Sequence, residues 1–383
     1  MRKLLQVSVL FLFLATNVLA ENSQLPHIKV LAKEGKGYLL DVDGGLVLIV
    51  RGTFYEMGYQ HGKLLAKDIN EMHKIVLNTA FIADIAKQKV NSLGKALQMS
   101  EKYIPARYEE EMKGMADGAH LPFEQVRAAN IFPEQFHCSG FALFGKATKN
   151  GQLLHGRVLD YITEIGLQRH ALLTVCQPEG FNSFVTVGFS GFIGSVTGMN
   201  NKQIAIGEMG GKGEGQWEGM PMSFLVRKTL EEANSLQQAV DIFKNTPRTC
   251  EYYYVISDGK IPDARGLACT PKTFDIVEPN QFNAKLNKPV VDALLLSVGK
   301  RYDELVTRVK NNYGTIDDKI AMEMMTRPVA MKSNLHDALF APSSLQLWVA
   351  NAADPNNGKY QACYQKYYHY DLKELLNFTD KDQ

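Results

Sequence analysis

The sequence predicts an α+β layered sandwich, and three features of the chain support this. Residues 52 to about 120 show mainly helical spacing of apolar side chains. From residue 138 onward, short apolar runs separated by turn residues indicate strands. After Pro221 the helical spacing returns, and further strands and helices follow. Helices and strands grouped in such blocks are typical of helices packed on sheets.

Each predicted element has its own signal in the sequence. A helix over 108–119 carries Glu109, Glu110 and Glu111 near its start, where negative charge complements the helix dipole. The other predicted helices are a pair within 224–243, then 302–311 and 316–326. The predicted strands are 139–144, 153–159, 170–176, 183–187, 203–206, 252–257, 293–297, 345–350 and 362–370.

The first twenty residues have the layout of a secretory signal peptide. Arg2 and Lys3 precede a mostly apolar run over 4–15, and Val18-Leu19-Ala20 supplies a cleavage site. The alternative is an N-terminal membrane anchor, but this run is shorter than the ~20 residues needed to span a bilayer. We expect residues 1–20 to be removed and the protein to be exported, to the periplasm or the medium.

Composition limits the classes of partner. Removing residues 1–20 lowers Lys+Arg from 42 to 40 against 41 Asp+Glu, so the net charge changes from +1 to −1. This balance predicts neither nucleic acid nor an anionic membrane as a partner. The remaining chain is long enough for one large domain or two closely packed ones.

The cysteines raise a question that their number alone does not answer. There are five, at 138, 176, 250, 269 and 363, so disulfide pairing within the chain leaves at least one over. The sequence has neither a CxxC nor an HExxH motif, so we predict no zinc site and no cofactor.

Cys138 lies at the start of a predicted hairpin. Asn150-Gly151 favours a tight type I′ turn. An ideal turn would place Cys138 opposite Thr163, whereas a looser turn or a bulge around 145–148 would bring Asp160 beside it. Either register places Cys138, Arg157 and Asp160 close together.

These three residue types suit covalent catalysis. A thiol is a strong nucleophile only as the thiolate. If the chain is cut between His137 and Cys138, the new α-amino group, with a pKa of ~7.7–8.0, becomes a base next to the thiol. Asp160 would orient that amine, and Arg157 would stabilise the thiolate or bind the substrate. The alternative is structural, because most strand cysteines are small buried apolar residues and most Arg–Asp pairs are ion pairs.

Four segments resemble the self-cleaving N-terminal-nucleophile (Ntn) hydrolases related to isopenicillin-N acyltransferase, and more distantly choloylglycine hydrolases, penicillin V acylases and acid ceramidase. The segment 52–62 resembles the family's N-terminal signature. Residues 138–142 and 156–160 resemble the nucleophile hairpin, and residues 198–206 resemble the following turn and strand.

The resemblance implies an αββα four-layer sandwich. It also implies self-cleavage between His137 and Cys138, which would give a heterodimer of a mainly helical chain, 21–137, and a core chain, 138–383. Cys138 would be the nucleophile, supported by Arg157 and Asp160. The substrate would be a small N-acyl amide, whose acyl group passes to water or to an amine through a thioester.

The oxyanion hole departs from the family pattern. Choloylglycine hydrolases use asparagine side chains, but this chain has Glu208-Met209-Gly210-Gly211 and Leu296-Ser297-Val298 at the corresponding places. Asn200, Gly210, Arg301 and Asn334 are the remaining oxyanion or substrate-binding candidates. We further expect the glycine-rich stretch 207–215 to be a flexible rim, with Trp217 and Phe192 as candidates for lining an acyl site.

Two other functions stay open at this stage. A papain-like peptidase would pair Cys138 with His336, which has Asn334 and Asp337 as neighbours. A non-catalytic exported binding protein would use its cysteines only structurally.

Overall fold

The computed structural model describes residues 27–131, 137–211, 215–286, 288–356 and 358–379, with only the backbone of His137. The predicted signal peptide at 1–20 lies outside these residues. Where described, the chain forms two sheets and the helices that cover them. The helices are α1 (Phe54–Ala86), α2 (Ser92–Ser100), α3 (Ala106–Ala119), α4 (Phe123–Asn130), α5 (Met222–Glu232), α6 (Leu236–Asn245), α7 (Lys300–Asn311), α8 (Asp318–Met324) and α9 (Leu372–Asn377).

The larger sheet has ten strands within the described residues, and its neighbours pair in the order β1-β2-β3-β6-β7-β8-β9-β10-β11-β12. The β3–β6 pair is parallel and the others are antiparallel. Its strands are β1 (Ile28–Glu34), β2 (Gly37–Val42), β3 (Gly45–Gly52), β6 (Ala171–Pro178), β7 (Phe184–Phe189), β8 (Thr197–Asn200), β9 (Ile204–Gly210), β10 (Tyr252–Asp258), β11 (Asp263–Cys269) and β12 (Phe274–Val277).

The smaller sheet has six strands in the described part of the chain, all antiparallel, in the order β13-β4-β5-β14-β15-β16. Its strands are β4 (His137–Gly145), β5 (Gly151–Asp160), β13 (Ala293–Leu296), β14 (Asn334–Ala341), β15 (Gln346–Asn351) and β16 (Tyr368–Asp371).

The layers stack as helices, sheet, sheet, helices. One face of the ten-stranded sheet carries α1, α5 and α6. Its other face packs on the six-stranded sheet, where β9, β10 and β11 contact β4, β5 and β13. Helices α7 and α8 cover the far side of the six-stranded sheet. This order confirms the predicted α+β class and the αββα sandwich.

The segment before Cys138 is less helical than predicted. Strands β1 to β3 occupy 28–52 and extend the ten-stranded sheet through the β3–β6 pair, so the segment shares a sheet with the chain after Cys138. The helical part begins at a capping box, where Glu56 N donates to Thr53 Oγ1 (3.2 Å) and Thr53 N donates to Glu56 Oε2 (2.7 Å).

Two other predictions need correction. Residues 362–370 were expected to form a strand, but Ala362–Tyr364 is a short 3-10 helix and the strand begins only at Tyr368. Residues 207–210 of the expected flexible rim are the end of β9, paired with β10, while 212–214 lie outside the described residues. Among the helices described, none combines the length and apolar character needed to cross a bilayer.

Candidate active site

The hairpin of β4 and β5 sets the register around Cys138. Cys138 pairs with Leu159, Gly140 with Arg157, and His137 with Asp160. The ideal Asn-Gly register, with Cys138 opposite Thr163, is therefore wrong. A bulge does occur near the turn, where the register shifts between Leu143 and Gly145, but it places Leu159 rather than Asp160 opposite Cys138, and Asp160 pairs with His137.

Strand alternation divides the three predicted residues between two faces of the sheet. Cys138 and Arg157 share the face that packs on the ten-stranded sheet, and diagonal cross-strand neighbours of this kind lie within reach of a long side chain. Asp160 belongs to the opposite face, together with Ser139. The Arg157 side chain therefore lies on the same face as the thiol, whereas the Asp160 side chain lies on the other face of the sheet.

Glycines make room for Arg157 between the sheets. A Cβ at Gly207 on β9 would lie 2.7 Å from Arg157 Cγ. A Cβ at Gly140, opposite Arg157, would lie 3.2 Å from Met209 Sδ and 3.3 Å from Val255 Cγ2. A side chain at Gly207 would therefore displace Arg157, whereas one at Gly140 would crowd Met209 and Val255 across the gap between the sheets.

Arg157 and Glu208 form a buried ion pair. Both are fully buried, and Arg157 Nη2 lies 3.4 Å from Glu208 Oε2. Among the described residues, Arg157 Nε, Arg157 Nη1 and Glu208 Oε1 have no hydrogen-bond partner. Buried donors of a charged group are costly to leave unpaired, so these atoms indicate a place for water or a ligand polar group beside Cys138.

Glu208 is the member of the site that the sequence did not identify as functional. It appeared there only as a departure from the asparagine of related enzymes. The one feature of the sequence that could have identified Glu208 is that it is the only acidic residue among the small and apolar residues of 204–210. Burial raises the pKa of Glu208 to about 7, although the Arg157 charge and hydrogen bond oppose this.

None of the five cysteines, all of which lie in the described residues, forms a disulfide in the structure. Burial raises the pKa of Cys138 to about 12, and the Arg157 charge opposes the rise while Glu208 and Asp160 add to it. In the continuous chain the thiol is therefore protonated at neutral pH. A base close to the sulfur is required before it can act as a nucleophile.

Asp160 and Arg301 buttress the start of β4 from the other face. Asp160 Oδ1 accepts from Met331 N (2.9 Å), and Asp160 Oδ2 accepts from Arg301 Nη2. The same Arg301 nitrogen donates to Ser139 Oγ (2.8 Å), and Ser297 Oγ lies 2.7 Å from that hydroxyl. Arg301 is thus a supporting residue for Asp160 and for the residue after Cys138.

Two oxyanion candidates are excluded by their own hydrogen bonds. Asn200 donates to Leu230 O and Ala233 O and accepts from Lys202 N and Ile204 N, so its amide holds the β8–β9 turn.

Asn334 is occupied in the same way. Its Nδ2 donates to Leu159 O (3.2 Å) and Asp337 Oδ1 (2.8 Å), and its Oδ1 accepts from Cys363 N (2.7 Å). Gly210 pairs with Tyr252 at the end of β9, two residues beyond Glu208. Among the candidate residues, the side-chain donors that lie beside the thiol are those of Arg157, and the backbone N–H of Asp160 also donates to Cys138.

His336 does not form a dyad with Cys138. His336 is on β14 and pairs with Leu159 of β5, so strand β5 lies between His336 and strand β4. Two strand spacings correspond to about 10 Å, far beyond hydrogen-bonding distance. His336 Nε2 instead lies 3.1 Å from Thr197 Oγ1, and burial holds the pKa of His336 well below its usual value.

One group of possible metal ligands occurs in the described residues, Asp68, Glu71 and His170. His170 Nδ1 lies 2.7 Å from Asp68 Oδ1, which is an ordinary acid–imidazole hydrogen bond. Glu71 is exposed. The cluster therefore has a structural explanation.

An apolar cavity lies beside strand β5, next to the residue that pairs with Cys138. Leu159, the partner of Cys138, lines it together with Tyr161, Phe189 and Phe192. Helices of the segment before Cys138 close it through Met72, Val76 and Ala129. Phe192 thus lines a cavity beside the site, whereas Trp217 lines a separate depression with Met99 and Thr270.

Comparison with known proteins identifies the family of the chain. The family model for acyl-coenzyme A:6-aminopenicillanic acid acyl-transferase matches residues 146–351. The chain belongs to this family. The match includes Arg157, Asp160 and Glu208 and begins eight residues after Cys138.

Curated relatives of the chain include amidases. The chain is 30% identical over 247 residues to protein dcd1B of Dictyostelium discoideum, covering 57% of this chain and 49% of that protein. It is 28% identical over 267 residues to acid ceramidase of Heterocephalus glaber, covering 59% and 64%. It is 27% identical over 175 residues to the N-acylethanolamine-hydrolyzing acid amidase of Rattus norvegicus, covering 43% and 47%. The chain spans about half the length of the curated relatives it matches.

Solved structures of Ntn hydrolases resemble part of the chain. The Caenorhabditis elegans N-acylethanolamine-hydrolyzing acid amidase ortholog aligns with a TM-score of 0.46 and 17% identity, over 61% of this chain and 100% of that one. A mutant of the Clostridium perfringens conjugated bile acid hydrolase aligns with a TM-score of 0.38 and 16% identity, over 61% and 96%.

The raised pKa of Glu208 predicts how the free energy of unfolding depends on pH. A carboxyl whose folded pKa is raised from 4.5 to about 7 binds a proton more tightly in the folded state, so its contribution to stability is lost as pH rises between those values. We expect the free energy of unfolding of the wild type, relative to Glu208→Gln, to fall from pH 4.5 to pH 7. Urea unfolding of both proteins at several pH values measures this difference, in which the buried histidines common to both cancel. A constant difference would contradict the prediction.

Proposed function

We propose that the protein is an exported cysteine Ntn hydrolase, which cleaves itself between His137 and Cys138 and then transfers the acyl group of a small N-acyl amide through a thioester on Cys138. One observation carries the proposal. The buried Arg157 guanidinium lies on the same sheet face as the thiol, and two of its nitrogens, Nε and Nη1, are unpaired among the described residues. Such donors suit a carbonyl oxygen that gains negative charge.

Self-cleavage would begin with attack of Cys138 Sγ on the carbonyl carbon of His137. The peptide C–N bond breaks as the S–C bond forms, and the thiol proton passes to the released amine. Water then hydrolyses this thioester, leaving a carboxylate on His137 and a free thiol and α-amine on Cys138. The network of Asp160, Arg301 and Ser139 supports this step, because Asp160 pairs with His137 and Ser139 directly follows Cys138, so the segment that contains the scissile bond is held.

The free amine supplies the base that the continuous chain lacks. With an ordinary pKa of ~7.7–8.0, it accepts the thiol proton near neutral pH. Arg157 favours the thiolate, since its charge already lowers the pKa of Cys138 against burial. The thiolate attacks the substrate carbonyl, and the α-ammonium returns the proton to the leaving amine. Water or a second amine then resolves the thioester.

The apolar lining of the cavity favours a substrate that is recognised by an apolar acyl group. The lining beside Leu159 is aromatic and aliphatic. Each buried methylene adds ~0.8 kcal/mol of binding, which corresponds to ~4-fold in kcat/KM. We expect kcat/KM to rise with acyl length until the cavity is full.

A larger side chain in the cavity should remove the preference for long acyl chains. Ala129→Leu adds bulk at a buried lining position, and we expect it to lower kcat/KM for long acyl chains at least ~10-fold relative to acetyl amides. Measuring both substrate lengths on the same processed preparation is the control for folding. Equal losses on short and long chains would show that the cavity does not hold the acyl group.

N-terminal sequencing and intact mass of purified wild-type protein test the proposal directly. We expect two chains, one beginning at Glu21 and ending at His137, the other beginning at Cys138. A chain that remains whole after removal of residues 1–20, yet hydrolyses amides, would disprove self-cleavage. A whole chain without turnover would favour the non-catalytic binding protein.

A further inference from the structure

The turn between β7 and β8 is held by side chains from the segment before Cys138. Gly191 N donates to His61 Nε2 (3.0 Å), and Gly191 O lies 3.0 Å from His73 Nε2 and accepts from Asn130 Nδ2 (3.0 Å). Ile193 N donates to Asn130 Oδ1 (2.8 Å). His61, His73 and Asn130 are 3%, 0% and 1% exposed, so these bonds are shielded from water. We call these three side chains the clamp.

The backbone groups of Gly191 define whether Nε2 of each imidazole donates or accepts a hydrogen bond. Gly191 N can only donate, so His61 Nε2 is an acceptor and carries no proton. Gly191 O can only accept, so His73 Nε2 is a donor. His61 is therefore neutral, burial lowers the pKa of His73, and the two rings bind opposite ends of one glycine.

Only glycine fits at the centre of the clamp. Gly191 has φ +79°, and a Cβ there would lie 2.6 Å from His73 Nε2 and 2.8 Å from Ile69 Cγ2. The turn is therefore pressed directly against helix α1.

The N-terminal signature positions the helix that carries the clamp. Helices α1 and α3 approach closely through paired glycines four residues apart. A Cβ at Gly58 would lie 1.9 Å from Glu111 O, and one at Gly62 would lie 2.3 Å from Met115 O. On α3, Gly114 and Gly118 meet the α1 backbone in the same way. His61 stands between the two α1 glycines, so the signature fixes both the helix and its imidazole.

The clamped turn also forms part of the apolar cavity. Phe189 and Phe192, on either side of Gly191, line it opposite Met72 and Val76 of α1. The clamp thus sets the distance between the aromatic wall and the helical wall of the cavity that begins beside Leu159.

We propose that His61, His73 and Asn130 are specificity-determining positioning residues, which set the acyl-chain preference by holding Phe189 and Phe192 in place. This inference rests on the proposed function. All three residues precede Cys138, so the N-terminal chain is a working part of the substrate site after cleavage, and it must stay bound for selective turnover.

Asn130→Ala and Asn200→Ala form a matched pair for testing the clamp. Both asparagines are buried, and each side chain holds one turn through bonds to backbone groups, but Asn200 holds the β8–β9 turn and does not line the cavity. Processing is checked first by mass, and kcat and KM are then measured for a series of acyl lengths on one amine. We expect Asn130→Ala to lower kcat/KM for long chains at least ~10-fold relative to short ones, mainly through KM. Asn200→Ala should lower thermal stability and leave the acyl-length profile unchanged.

A second pair covers the case in which Asn130→Ala does not fold. His73→Gln retains an amide N–H that can donate to Gly191 O, whereas His73→Leu does not. We expect the glutamine variant to keep more of the long-chain preference than the leucine variant. Unchanged profiles in the clamp variants, or equal changes in Asn200→Ala, would overturn the inference while leaving the proposed function intact. A wild type that is neither processed nor active would instead defeat the proposed function.

Discussion

Cys138→Ala is expected to yield a single folded chain beginning at Glu21, with no cut at residue 138 and with kcat/KM lowered by at least ~10⁴-fold. The reason is that one atom, Sγ, performs both the self-cleavage and the acyl transfer in the proposed mechanism. Loss of a nucleophile removes the whole covalent pathway rather than a fraction of it. Intact mass and amide hydrolysis measure the two losses.

Cys269→Ala is the matched control for this prediction. Cys269 is also a free, buried thiol on a strand, and burial raises its pKa to about 12 as well. We expect it to be processed and active. Processing of Cys138→Ala, or an equal loss in Cys269→Ala, would show that the cysteine chemistry is assigned to the wrong residue.

Arg157→Gln is expected to lower kcat/KM by ~10²–10³-fold, because it removes the charge that favours the thiolate and the donors that face the reacting carbonyl. It should also destabilise the protein, since Glu208 would be left buried without its cation. Breaking a buried pair in this way costs ~3–5 kcal/mol. The cost should be greatest above pH 7, where Glu208 is charged, and smaller below it, where the carboxyl takes up a proton.

The double variant Arg157→Gln/Glu208→Gln separates catalysis from stability. Two neutral amides replace the ion pair, so we expect the free energy of unfolding to recover toward the wild-type value while turnover stays low. Urea unfolding, processing by mass, and kcat/KM are measured on the single and double variants. Recovery of activity together with stability would mean that Arg157 has only a structural role.

The β4–β5 hairpin shows which features can be predicted from residues close together in the sequence. Alternating apolar residues and Asn150-Gly151 predicted both strands and their antiparallel pairing, because these depend on neighbours in sequence. The register depended on the length of the turn, and the bulge between Leu143 and Gly145 changed the partner of Cys138 from Thr163 to Leu159. The turn is irregular, as the second alternative required, but the observed register differs from both predictions, which placed Thr163 or Asp160 beside Cys138.

The oxyanion candidates show where sequence reasoning fails. Asn200 and Asn334 have suitable side chains, but backbone groups distant in sequence occupy their amides. Some partners are local, such as Ile204 for Asn200 and Asp337 for Asn334. The bonds to Leu230 O and Leu159 O come from other elements, and the residues near either asparagine do not indicate them. Glu208 was passed over for the same reason, since its partner Arg157 is on the other sheet.

The sequence by itself determined the helix and strand blocks, the layered α+β class, and the hairpin that brings Arg157 close to Cys138. These follow from side-chain periodicity and turn chemistry, which act over a few residues. Only the tertiary structure decided the register, the pairing of Arg157 with Glu208, the placement of His336 beyond strand β5, and the clamp on Gly191. Each of these depends on the approach of two sheets or of a helix and a turn, and so on contacts between residues far apart in the chain.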